Sequence, residues 1–261
     1  MSNDHKIFKN KCKSEIINQH NDKKFLKLSK DWFNKSVEHN YSYHFEWLGR
    51  PVIQYPQDLI SIQQLIWSIK PDLIIETGIA RGGSLLFAAS ILELISLYGI
   101  NKKSKVLGID IEIRDHNLKE ITKSPLFKRI NLIEGSSIDE KVKKKVNNFS
   151  KKFKKILIFL DSNHSHKHVL EELKFYSKFV SKGSYCIVFD TAISKLDNTK
   201  NKGKNWSSTS NPYSAVKDFI KYANETKIYD REKSRVKFFI DDFYEKQSMI
   251  TVAPSGFLKR L

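Results

Sequence analysis

The residues best suited to chemistry sit where apolar runs give way to small and charged ones. The first such stretch is Glu76-Thr77-Gly78-Ile79-Ala80-Arg81-Gly82-Gly83-Ser84. Glycine lets a backbone turn tightly and approach a ligand with no Cβ in the way. The free N–H groups of a helix that starts there suit an anion such as a carboxylate. The stretch is not the dinucleotide fingerprint, because Ala80 stands where GxGxxG needs its second glycine. Glu76 would repel a pyrophosphate and attract an ammonium. A ligand with both an ammonium and a carboxylate fits better, and the methionine part of S-adenosylmethionine has both. Glu76, Gly78, Gly82, Gly83 and Ser84 are therefore candidate cofactor-binding residues; the plainer alternative is a tight strand-to-helix turn with no ligand.

A second run, Val106-Leu107-Gly108-Ile109-Asp110, also ends in an acid. A carboxylate at the tip of a second strand can accept both hydroxyls of a ribose, or Asp110 only caps the next helix. In Glu134-Gly135-Ser136-Ser137, Ser136 is placed to contact an adenine or to cap a helix, and both roles stay open. Two more runs end in Asp161-Ser162-Asn163-His164-Ser165-His166-Lys167-His168 and in Phe189-Asp190-Thr191. Asp161 and Asp190 on neighbouring strand ends form a hard-oxygen site suited to Mg²⁺. Such an ion holds a substrate hydroxyl and lowers its pKa for attack on a sulfonium methyl. Asp161 and His164 are the candidate catalytic residues, with His164 taking the hydroxyl proton. Capping or positioning is the alternative for the aspartates, and a structural role for the three histidines. On this reading Gly78→Val loses donor affinity by clashing with the ligand, whereas Asp161→Asn loses turnover and keeps the donor.

Those residues need a scaffold that gathers strand ends. Apolar runs at 73–76, 106–111, 130–134, 156–161 and 185–190 alternate with stretches long enough for crossover helices near 83–98, 115–123, 137–149 and 166–180. Near-continuous apolar runs mark parallel strands covered on both faces, and β-α units in series predict an open, doubly wound α/β sheet. A helix near 212–224 precedes runs at 236–240 and 249–252, predicted as an antiparallel edge pair. Seven strands, five parallel plus a reversed edge pair, is the layout of class I methyltransferases. Leu59, Ile62, Leu65, Ile66 and Ile69 predict a helix over 57–70, stopped by Pro71. Residues 1–45 read as a helical arm that packs on the body or on a second subunit, and 46–261 as the catalytic domain. The polar stretch 192–211 follows the fifth strand and reads as a lid over the strand ends, or as an ordinary long loop. Acceptor specificity is expected in the arm and in this stretch.

The 261 residues are 40% hydrophobic with 17 Phe and 10 Tyr, which excludes a disordered chain. The formal charge is +17, yet only seven of the 46 cationic residues are Arg, the side chain favoured by sites that read nucleic acid. Lys, Asn and Ile share AT-rich codons, which accounts for part of the charge. The run KVKKKVNNFSKKFKK at 141–155 reads as a solvated helix face. DSNH follows the fourth strand where base methylation needs an Asn/Asp-Pro-Pro-Tyr motif, so no nucleic-acid partner is expected; a nucleic-acid-binding or nucleic-acid-methylating protein remains the charge-based alternative. Cys12 and Cys186 make neither a disulfide framework nor a metal motif. With no signal-peptide pattern and no apolar stretch long enough to span a bilayer, the expectation is a cytoplasmic homo-oligomer without a transmembrane segment.

The stretches WLGRPVIQYPQDL, KPDLIIETGIARGGS, KVLGIDIEIRDHN, EGSSID, LDSNHSHKHVLEEL, GSYCIVFDT and VAPSGFLKR run in order from Trp47 to the end of the chain. Together they resemble the cephalosporin hydroxylase family, which includes rhamnosyl O-methyltransferases. The resemblance implies a Rossmann-like, S-adenosylmethionine-dependent methyltransferase with Mg²⁺ at its site and Asp161 and Asp190 as ligands. It implies O-methylation of a sugar in a polysaccharide or glycolipid, or of another small metabolite. The family's name also raises an oxygenase or tailoring hydroxylase, in which Asp161, His164 and His166 or His168 would form a two-histidine, one-carboxylate face for iron. The glycine turn argues for a sulfonium cofactor instead. A cofactor-binding subunit without activity is the remaining possibility.

Overall fold

A computed structural model describes residues 2–196 and 204–261. In chain order the elements are α1 (Asn3–Asn21), α2 (Lys23–Glu38), β1 (Phe45–Trp47), β2 (Arg50–Val52), α3 (Pro56–Ile69), β3 (Leu73–Thr77), α4 (Gly83–Leu97), β4 (Lys105–Asp110) and α5 (Asp115–Lys123). They continue with β5 (Ile130–Glu134), α6 (Glu140–Ser150), β6 (Ile156–Leu160), α7 (His166–Tyr176), β7 (Tyr185–Val188), α8 (Pro212–Glu225), β8 (Phe238–Ile240), α9 (Phe243–Ser248) and β9 (Phe257–Arg260).

The main sheet has seven strands in the order β5-β4-β3-β6-β7-β9-β8. The first five in that order are parallel, and β9 pairs antiparallel with both β7 and β8. The period of two along a strand divides each apolar run between two cores. On β3, Ile74 packs with α3 and α4, while Leu73 and Ile75 face α6, α7 and α8. On β6, Leu157 and Phe159 join the first core and Ile156, Ile158 and Leu160 the second. Strand order reverses at β3, so the carboxyl ends of β3 and β6 flank the switch point where open α/β sheets bind ligands.

The reversed edge pair exists, but one of its strands lies elsewhere than the sequence suggested. The run at 249–252 is not a strand. Met249 ends α9 with φ 59°, Thr251 Oγ1 and Val252 N donate to the Asp58 carboxylate on α3, and the segment is apolar because it is buried there. The strand is Phe257–Arg260, inserted between β7 and β8, and α9 separates it from β8, so the pair is no hairpin. Arg260 ends a sheet strand because its guanidinium is buried against Asp230 and the Val180 carbonyl. WLGR also forms a structure that the sequence did not announce, the β1–β2 hairpin. Its two turn residues, Leu48 and Gly49, both have positive φ, as a two-residue turn requires.

Ahead of the sheet, Asp22 breaks the N-terminal helix in two and caps α2, accepting from Lys24 N and Phe25 N. α1 buries no residue and touches α9 through Gln19, whose amide donates to the Lys246 carbonyl at 2.8 Å. The stretch read as a lid is partly outside the described residues, at 197–203. Its start, Thr191–Lys195, is a 3-10 turn, and 204–211 lead into α8, which Asn211 caps. No helix among the described residues is long and apolar enough to cross a membrane.

Phe219 on α8 is fully buried and packs against Phe238 at 5.8 Å between ring centroids. Phe219→Ala should therefore cost about 3–5 kcal/mol, measured as a lower midpoint of urea unfolding.

Candidate functional site

A cavity of about 940 Å³ opens at the carboxyl ends of β3, β4, β6 and β7. Gly78, Gly83, Ser84, Asp110, Ser136, Asp161, His164 and Asp190 all line it, so the fold gathers most of the residues singled out in the sequence. Glu76 and Gly82 are not on its wall. Glu76 is buried beside it, with the Ser84 hydroxyl donating to Oε1 and no hydrogen-bond partner for Oε2 among the described residues. Burial pushes its carboxyl up to about 8, against the Ser84 hydrogen bond and with some help from Asp110.

The glycines answer to protein contacts. A Cβ on Gly78, where φ is 86°, would stand 2.0 Å from the Asp161 carbonyl oxygen. One on Gly82 would meet Ile121 of α5 at 2.4 Å, and one on Gly83 the Pro51 carbonyl oxygen at 2.2 Å. Gly78 thus lets the turn after β3 touch the end of β6, and Gly83 lets α4 start against β2. The clash expected at Gly78 is with Asp161 itself, so the turn and the carboxylate are not independent.

Asp110 does more than face the cavity. Its Oδ2 accepts from Ile79 N at 2.7 Å and Ala80 N at 3.2 Å, tying the turn to the tip of β4. Arg50 on β2 donates to the Arg81 carbonyl at 2.7 Å and to Asn117 Oδ1 at 3.0 Å, and Asn117 donates to the Ala80 carbonyl. The sequence signalled neither Arg50 nor Asn117, whose contacts span 31 to 67 residues.

The other half of the site is a charge cluster. His164 Nε2 lies 3.0 Å from Asp190 Oδ2 and 4.0 Å from Asp161 Oδ1. One ligand atom from each of the three residues lies within 4.8 Å of the others, the one such cluster among the described residues. Asp190 holds φ 57°, a left-handed conformation uncommon for a residue with a side chain. Burial and then the charge of Asp190 raise the Asp161 carboxyl above its usual range, partly offset by His164 and by a hydrogen bond from Gln54. For His164, burial opposes the charged ring, but Asp190 and Asp161 lift it to about 9. Two recessed carboxylates that repel each other are a donor set that a divalent cation fits. Gln54 was not singled out in the sequence; it donates to Asp161 Oδ2 at 2.9 Å from the loop after β2.

His166 and His168 begin α7 and are not part of this cluster, although His168 also lines the cavity. His166 bonds Ser214 Oγ at 2.8 Å and faces Asp218, joining α7 to α8. His168 Nε2 lies 2.9 Å from Ser137 Oγ and 3.5 Å from the buried Glu172. The two-histidine, one-carboxylate face that an iron oxygenase would need is therefore not assembled.

The family model described as rhamnosyl O-methyltransferase/CmcI matches residues 39–261. A rhamnosyl O-methyltransferase of Mycobacterium leprae (strain TN) is 28% identical over 215 residues, covering 82% of each chain. One from Mycobacterium tuberculosis (strain ATCC 25618 / H37Rv) is 28% identical over 208 residues, covering 78% of this chain and 73% of its own. Among solved structures, the apo form of CmcI-N160 superposes with a TM-score of 0.52, and CmcI-D160 with Mg and SAM with 0.50. Both are 18% identical and cover 84% of this chain and 77% of their own, a likeness of fold. The chain belongs to the rhamnosyl O-methyltransferase/CmcI family and is an S-adenosylmethionine-dependent O-methyltransferase.

Proposed function

We propose that this enzyme methylates a sugar hydroxyl of a polysaccharide or glycolipid, with Mg²⁺ held by Asp161 and Asp190. The observation that carries the reading is the meeting, in one cavity, of the Gly78–Ser84 turn and the Asp161–His164–Asp190 cluster. The named activity of the mycobacterial relatives and the Mg and SAM of CmcI-D160 support it.

The donor, S-adenosylmethionine, supplies a sulfonium methyl. Ser84 on the wall takes its amino-acid end, and behind it the buried Glu76 oxygen, without a partner among the described residues, suits an ammonium. Asp110, already fixed by two turn N–H groups, accepts from the ribose, and Ser136 stands at the adenine end. Mg²⁺, when bound, lowers the pKa of a hydroxyl it touches. His164 is held protonated while its two carboxylate neighbours are bare. With those carboxylates neutralised the ring loses the attraction that keeps it charged, and it accepts the acceptor's proton at Nε2.

The cavity lies at the upper end of the usual size for small-molecule sites. The rest of its wall carries Phe33, Tyr43 and Trp206 beside Asn40 and Ser42, rings and small polar groups that suit the two faces and the hydroxyls of a sugar.

Asp161→Asn should reduce methyl transfer to a glycan acceptor at least about 100-fold while S-adenosylhomocysteine still binds. Methyl transfer that survives both this variant and excess EDTA would sink the metal reading. In the free protein Glu76 is protonated below about 8, whereas an ammonium beside it favours the carboxylate. Binding of S-adenosylhomocysteine at pH 7 should then release close to one proton, and affinity should rise toward pH 8. Calorimetry in two buffers of different ionisation heat measures this, and Glu76→Gln should abolish it. Gly78→Ala forces a Cβ onto the Asp161 carbonyl at positive φ, so it should weaken Mg²⁺ and S-adenosylhomocysteine together. Titration of each ligand into the variant tests this.

A further inference from the structure

Gln54 is almost fully buried, lines the cavity and belongs to no strand or helix. Its Nε2 donates to Asp161 Oδ2 at 2.9 Å, leaving Oδ1 as the oxygen nearest His164. An amide has no net charge, so Gln54 holds the carboxylate without neutralising it. Its Oε1 is buried with no partner among the described residues. Leaving a buried acceptor unpaired is costly, so packing alone would favour an apolar side chain here.

Gln54 is fixed from both sides. Upstream, the Pro51 carbonyl packs into the space that Gly83 leaves open at the start of α4. Downstream, Tyr55 is clamped by α2. Its hydroxyl lies 2.7 Å from Ser36 Oγ, and its ring is ringed by Trp32, Phe33 and Tyr41 at 6.0, 5.7 and 5.7 Å. Trp32, Phe33 and Ser36 lie ahead of residue 39, where the family match begins.

We propose that Gln54 is a positioning residue of the metal centre, holding Asp161 with one oxygen turned to the cation, and that α2 braces it through the Ser36–Tyr55 contact. This rests on the metal reading of Asp161 and Asp190. α2 thereby becomes part of the site's construction, although it lies ahead of the span matched by the family model.

The test is calorimetric titration of Mg²⁺, then of S-adenosylhomocysteine, into the full chain and its variants. Gln54→Met keeps length and loses the donor. It should weaken Mg²⁺ about 10-fold or more, as loss of a group that orients a ligand does, and leave S-adenosylhomocysteine affinity unchanged. Ser36→Ala removes one hydroxyl from the brace and should weaken Mg²⁺ in the same direction by less. If Gln54→Met does not fold, Ser36→Ala carries the test. Mg²⁺ affinity equal to that of the parent in the folded variants overturns the proposal, and so does a parallel loss of both ligands, which would mark a packing role. A parent chain that binds no Mg²⁺ defeats the metal reading itself, and this inference with it.

Discussion

Three carboxylates, two on the cavity wall and Glu76 buried behind it, lie where the parallel strands end. Glu76, Asp161 and Asp190 come from β3 and from the residues that follow β6 and β7, and burial raises the carboxyls of Glu76 and Asp161. Removing a carboxylate from water is costly unless it is paired or protonated. His164, the Ser84 hydroxyl and the Gln54 amide meet that cost in part. His164 is the cationic side chain within the Asp161–His164–Asp190 cluster. Under the proposed chemistry, a donor cationic at its ammonium and its sulfonium, and a divalent ion, each offset part of the repulsion between these carboxylates.

The backbone carries the same economy of space. The turn after β3 can sit against the end of β6 only because Gly78 has no side chain, and α4 can start against β2 only because Gly83 has none. Asp110, Asn117 and Arg50 then lock that turn from three directions. The Gly78–Ser84 turn and the Asp161–His164–Asp190 cluster are consequently two sides of one contact. A displacement at either side reaches the other through backbone rather than through a flexible side chain.

The cavity has two kinds of wall. Some lining residues come from the sheet's own strand tips and turns. Others come from α2 and the residues up to Tyr43, and from Lys204 and Trp206 ahead of α8. Loops and appended helices change more freely than strand ends because less of the core depends on them. Under the proposed chemistry this division lets one donor-binding scaffold serve different acceptors.

Much of this was legible in the chain itself. Five apolar runs, each closed by an acid or a small residue, are local patterns that a period of two and a two-sided core impose; hence the parallel strands and the acids at their tips, Asp110, Asp161 and Asp190, could be found without coordinates. Other features depend on partners far along the chain. Arg260 ends a strand because Asp230 lies beside it, and 249–252 is apolar because α3 covers it rather than because it joins the sheet. Gln54 reaches Asp161 across 107 residues, and Gly83 is glycine because the Pro51 carbonyl fills its side. A sequence determines which faces must be buried and where charge collects. Which buried surface meets which, and so whether a glycine, an amide or a terminal arginine serves a ligand or a neighbour, is decided only when the layers pack.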